Sequence, residues 1–92
     1  VAVDWSKRGD YIAKHKMTPE IANEALADEN ALVPDPDPAS KSGVSVRTIG
    51  RSATLGDLVT VITVTDDDGM VYGVNAWRSN LQDIRKYVEY QE

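Results

Sequence analysis

His15 is the single histidine of the chain, and it stands between Lys14 and Lys16. An imidazole, with an ordinary pKa near ~6.5, can take or give a proton at neutrality, and flanking cations favour its neutral, base-competent form. Such a group suits general acid–base cleavage of a phosphodiester. The same triplet also reads as the cationic end of a helix, stabilised by the helix dipole. Arg47 and Arg51 fall on one side of an alternating segment, and Arg78 ends a later one. Guanidinium groups grip phosphate bidentately and can stabilise the charge that builds on a pentacoordinate phosphorus. Ion pairing of these arginines with the six acids between Thr18 and Asp37 is the competing reading. Trp77 can stack on an unpaired base, or it can serve as core or interface.

Other chemistries are poorly supplied. Asp35, Asp37 and the Asp66-Asp67-Asp68 run lack the alternating oxygen ligands and distal glutamate of a calcium loop, so both read as solvated turns. No glycine-rich phosphate loop, Ser/His/Asp set or zinc spacing occurs, and neither metal nor cofactor is expected.

Positioning the basic residues falls to an ordered set of elements. Val1 to Trp5 alternates briefly as a short edge strand. Ser6 can cap a first helix running to about Lys14. Thr18-Pro19-Glu20 is a stronger start signal, because the hydroxyl can accept a backbone N–H, proline suits the first helical position and glutamate complements the dipole. The second helix should run to about Glu29 and bury Ile21, Ala22, Ala25 and Leu26. Ala31 to Val33 can form a short strand, ended by the alternate prolines Pro34, Pro36 and Pro38. Val44 to Arg51 alternates, with Arg47, Ile49 and Arg51 on one face. Leu58 to Thr65 is apolar on both faces and β-branched, as a central strand requires. A hairpin at Asp66 to Gly69 returns the chain through Met70 to Trp77. Ser79 and Gln82 fit a capping box, with Leu81, Ile84 and Val88 as the buried stripe of a final helix. The fold class is therefore α+β, a small antiparallel sheet of three to five strands packed by two N-terminal helices and one C-terminal helix.

At 92 residues the chain suits one domain, residues 1–92, with a single modest core. The absence of cysteine removes disulfides and thiolate metal sites and leaves a cytoplasmic address as the default. The longest apolar stretch falls far short of the roughly 20 residues of a membrane span, and the N-terminus lacks the layout of a signal peptide. A net charge of −5 argues against loose binding to a polyanion. The charges are segregated, however: Lys7, Arg8, Lys14 and Lys16 face a single acid, Asp10, in the first segment, whereas the Thr18 to Asp37 segment has no base.

Taken in order, these residues resemble the BrnT family of bacterial type II toxins, relatives of the RelE-like ribonucleases. The resemblance runs through Trp5 and Lys7, the Lys14-His15 pair, the Glu20 to Leu26 helix with Ala25, Ile49-Gly50, the strand from Leu58, Val74 to Arg78, and Arg85 with Tyr87. It implies a RelE-like fold, metal-independent RNA cleavage that inhibits translation, and neutralisation by a ribbon-helix-helix antitoxin from an adjacent gene, through which alone DNA would be contacted. Carried over by position, Lys14, His15, Arg51 and Arg78 would be catalytic, with Arg47, Trp77, Lys16 and Arg85 contacting RNA. This chain differs from the family in having Trp77 where arginine is common, with Arg78 one step later, and in having Lys16 where glycine usually follows the histidine. The rival expectation is a catalytically silent protein-interaction module that keeps the toxin fold.

Overall fold

The computed structural model describes residues 3–33 and 45–91 as a small α+β fold. Its elements are α1 (Gly9–Ala13), α2 (Pro19–Leu26), β1 (Ser45–Ser52), β2 (Asp57–Thr65), β3 (Val71–Arg78) and α3 (Leu81–Gln91). The proline loop with Asp35 and Asp37, Val44 and the start of the expected first strand lie outside the described residues. No helix among those described is long and apolar enough to cross a membrane.

The three strands form an antiparallel sheet in the order β1-β2-β3. β2 is central, which accounts for its apolar residues on both faces. Val59 and Val61 pack with Ile12, Met17, Ile21, Ala22, Ala25, Trp5 and Ala76 in the larger core, beneath α1 and α2. On the opposite face Leu58 joins Ile49 and Tyr87 in a smaller core beneath α3. The two flanking strands expected on either side of α1 and α2 are reduced to single bridges, Asp4 with Tyr72 and Leu32 with Ile49.

Two close approaches fix how α2 and the N-terminal segment lie on the sheet. Gly50 on β1 lies so near the Ala25 carbonyl of α2 that any Cβ would collide with it. Gly73 on β3 lies under the Trp5 ring in the same way. A register shift at Ile62/Thr63, opposite Val74, turns Gly73 toward Trp5; simple alternation would have left it on the face of Asn75 and Trp77. Trp5 is then held by its indole N–H, which donates to Asn23 Oδ1 at 2.9 Å.

The helix ends depart from expectation in instructive ways. Thr18 caps α2 through Ile21 N–H at 3.1 Å, but α2 stops at Leu26, before Glu29. The Asp28 carboxylate is drawn to Tyr87 Oη–H (2.7 Å), Arg51 N–H (2.9 Å) and Asn30 N–H (2.9 Å). Ser6 does not cap α1: its own N–H donates to Asp4 Oδ1, and the turn delays the helix until Gly9. Nor does Ser79 cap α3. That role falls to Asn80, whose Oδ1 accepts Asp83 N–H at 2.9 Å, because the Ser79 hydroxyl is buried against Thr60. The expected stripe of α3 is also corrected. Asp83 and Tyr87 are buried, Ile84 is half-buried, and Leu81 and Val88 are 63% and 50% exposed.

Adding one methyl should discriminate the close approach from open space. Gly50→Ala is expected to cost about 2 kcal/mol or more, whereas Gly9→Ala, with nothing nearby, should be neutral or stabilising. Thermal melts of the two variants check this. A second test concerns acid. Hydrogen bonds from Thr54 and Ser52 hold the Glu24 carboxyl below its ordinary 4.5. Burial pushes the Asp28 carboxyl up, but donation from Tyr87, Asn30 and Arg51 outweighs it and leaves the group below 3.8. Both contribute stability that is present above those ordinary values and lost as pH falls through the lower folded ones. Denaturation midpoints should therefore fall progressively below about pH 4.5, and Glu24→Gln should flatten that acid limb.

Candidate functional site

α1 ends in a way that sets the direction of His15 and Lys16. Lys16 N–H donates to Ala13 O at 3.0 Å and Met17 N–H to Ile12 O at 3.2 Å, the two bonds of a Schellman motif. Lys16 sits at its left-handed position with φ 61°. Met17 and Ile12, both buried, make the apolar contact that accompanies this motif. Burial of Met17 thus anchors the turn while Lys14, His15 and Lys16 remain exposed.

Arg78 reaches the same place from β3. It pairs with Val59, so its side chain takes the face occupied by α1 and α2, while Trp77, paired with Thr60, takes the opposite one. His15, Lys16, Met17, Leu55 and Arg78 line one cavity of about 370 Å3. The cationic side chains come from positions more than sixty residues apart, and no acidic residue is among those lining the cavity. Asp57 stands beside Arg78, with Nε···Oδ2 at 3.6 Å, but both side chains are largely exposed and the pair contributes little. Lys14 caps α1 one residue before His15.

The remaining sequence-named residues lie elsewhere. Arg47 and Arg51 share a face as expected, but it is the α3 face, opposite Arg78. Arg47 Nη1 lies 3.2 Å from Asp83 Oδ1, and its guanidinium is 5.7 Å from the Trp77 ring centroid. One acid partner of Arg47 is therefore Asp83 of α3, which lies outside the six acids between Thr18 and Asp37. Arg51 lies beside Asp28 and Tyr87, and its backbone N–H bonds that carboxylate. Arg85 is exposed on α3. Arg51 is therefore separated from the His15 cavity by the sheet, contrary to its expected place in one catalytic set.

A second cavity, of about 320 Å3, opens on the α3 side and is lined in part by Arg8, Tyr11, Arg47, Asn75 and Trp77. Sequence reasoning missed Arg8, Tyr11 and Asn75. The signal was present for two of them, since Arg8, Tyr11 and His15 recur at i, i+3 and i+7, one side of a helix. Tyr11 and His15 meet edge to face, with centroids 5.8 Å apart. Among the described residues no group of three or more His, Asp or Glu side chains is placed to hold a metal ion.

The arrangement can bind a phosphate between a guanidinium and an ammonium, with an imidazole within the same cavity to move a proton. The chain matches no protein-family model, no curated protein and no solved structure at a significant level, so the chemistry of these residues carries the functional reading.

A lysine at φ 61° pays the steric cost that glycine avoids. Lys16→Gly is therefore expected to raise stability by about 1 kcal/mol, seen as a higher melting temperature. No change, or a decrease, would show that the lysine side chain contributes more than the strained backbone costs.

Proposed function

We propose that this protein is a metal-independent endoribonuclease of the BrnT type, with a RelE-like fold. In this reading it is a bacterial toxin that cleaves RNA, inhibits translation and is neutralised by a DNA-binding antitoxin encoded beside it. The observation that carries the reading is the convergence of His15, Lys16 and Arg78 on one cavity, although Arg78 lies more than sixty residues further along the chain. The left-handed turn at Lys16 supports it, because it gives a physical reason for glycine at that position in the resembling family.

The chemistry follows from the residue types. His15 takes the proton of a ribose 2′-hydroxyl as that oxygen attacks phosphorus. Arg78 and Lys16 offset the negative charge that develops on the non-bridging oxygens. The bond from phosphorus to the 5′-oxygen breaks, and Lys14 or the protonated His15 supplies the proton that oxygen needs. The products are a 2′,3′-cyclic phosphate and a 5′-hydroxyl. Arg51, on the far face, has no part in this step, and Arg47 is engaged by Asp83.

A second reading, a catalytically silent interaction module, is favoured by one specific observation. Leu81 and Val88 present apolar surface on α3 that a protein partner would cover. Induced expression separates the two readings. The ribonuclease should halt growth and degrade RNA, and His15→Ala or Arg78→Ala should each lower cleavage by about 100-fold or more with melting temperature preserved. Intact RNA and undisturbed growth at high expression would favour the silent module.

A further inference from the structure

The cavity on the α3 side shares two of its walls with the phosphate cavity, the α1 region and β3, and is completed by Ser45 and Arg47 of β1 and Ile62 and Val64 of β2. Arg8, just before α1, Tyr11 of α1, and Asn75 and Trp77 of β3 are among the residues lining the first, while His15, just after α1, and Arg78 of β3 are among those lining the second. The Tyr11–His15 ring contact joins them at 5.8 Å, and Trp77 and Arg78 are consecutive. The two cavities lie on opposite faces of the sheet, but β3 is its edge strand, so a nucleotide passing round that edge can set its base in one cavity and its phosphate in the other.

We propose that the Trp77–Tyr11–Asn75 cavity is a base-binding subsite that selects a base rich in carbonyl oxygens, uracil or guanine, next to the phosphate at His15 and Arg78. The proposal rests on the ribonuclease reading for its phosphate, and it identifies which RNA is taken. Trp77 is half-buried, and Tyr11 is 39% exposed, so both offer aromatic surface to an unpaired base. Arg8 lies 5.1 Å from the Tyr11 centroid and brings positive charge to the rim.

Selectivity comes from Asn75. Its Oδ1 accepts the Ala76 N–H at 2.9 Å, which fixes the amide orientation and leaves its NH2 group to donate into the cavity. With Arg8 also a donor, the wall presents hydrogen-bond donors in excess. Guanine offers O6 and N7, and uracil offers O2 and O4, whereas adenine and cytosine carry amino donors on the corresponding edges. Because Tyr11 touches the His15 ring, the sugar nearest this cavity is the one whose 2′-hydroxyl faces His15. The bound base therefore belongs to the nucleotide on the 5′ side of the scissile phosphate.

The test titrates the full chain with the four nucleoside 3′-monophosphates, and with inorganic phosphate alone, by calorimetry. Uridine and guanosine 3′-monophosphates should bind about tenfold more tightly than their adenosine and cytidine counterparts. Trp77→Ala should weaken all four nucleotides by about tenfold and leave phosphate binding unchanged. Asn75→Asp keeps an acceptor for Ala76 N–H but replaces donors with acceptors, so it should erase or invert the preference in a protein whose circular dichroism is unaltered. Equal affinity for the four nucleotides, or an unchanged ranking in Asn75→Asp, would overturn the subsite. Base-selective binding by a protein that cleaves no RNA would support the subsite and count against the ribonuclease reading alone.

Discussion

The arrangement of the α3 side of the sheet depends on one buried carboxylate. The Asp83 side chain is 1% exposed, accepts Thr60 Oγ1–H at 2.8 Å, and lies 3.2 and 3.4 Å from Arg47 Nη1. Thr60 in turn shares a 2.8 Å bond with Ser79. Four elements of the chain meet in this network: β1 through Arg47, β2 through Thr60, the exit of β3 through Ser79, and α3 through Asp83 itself. A carboxylate that deep is tolerated only when it is paired and hydrogen-bonded, and removal of one partner typically costs about 3–5 kcal/mol. The rotation of α3 follows from this requirement.

That constraint also explains where sequence reasoning failed. The apolar spacing of Leu81, Ile84 and Val88 indicated one buried side of α3, and the buried side is instead the one carrying Asp83 and Tyr87. Hydrophobic periodicity registers area and is blind to a charge that has found partners thirty-six residues upstream. The same network takes the Ser79 hydroxyl, which is why a good capping-box pattern was not used, and it engages Arg47, which was expected to contact RNA. By contrast the three strands, the hairpin at Gly69 and the Thr18 cap were legible, because each is set by local chemistry: alternation, a φ of 83°, and a hydroxyl beside an orphan N–H.

The candidate site was half legible. Alternation alone placed Trp77 and Arg78 on opposite faces, and this sets the two side chains in different cavities along a single strand. The grouping of His15 with Arg78 needed the tertiary fold. It arises because Met17 is buried, the turn at Lys16 is left-handed, and α1 lies along β3. Arg51 was assigned to this group by its type and position, but its strand is at the other edge of the sheet and its side chain is on the other face. No acidic residue is among those lining the His15 cavity; the carboxylates of Glu24 and Asp28 lie outside it, bonded by Ser52 and Thr54 and by Tyr87.

The central claim is that His15 and Arg78 act on the same phosphate. A double-mutant cycle on RNA cleavage tests it most directly, comparing kcat/KM for the parent, His15→Ala, Arg78→Ala and the double variant. Groups that act as a unit on one transition state are strongly non-additive, so the double variant should be scarcely slower than the slower single one. If the two losses multiply, the residues act independently, and the account of a shared phosphate cavity is wrong.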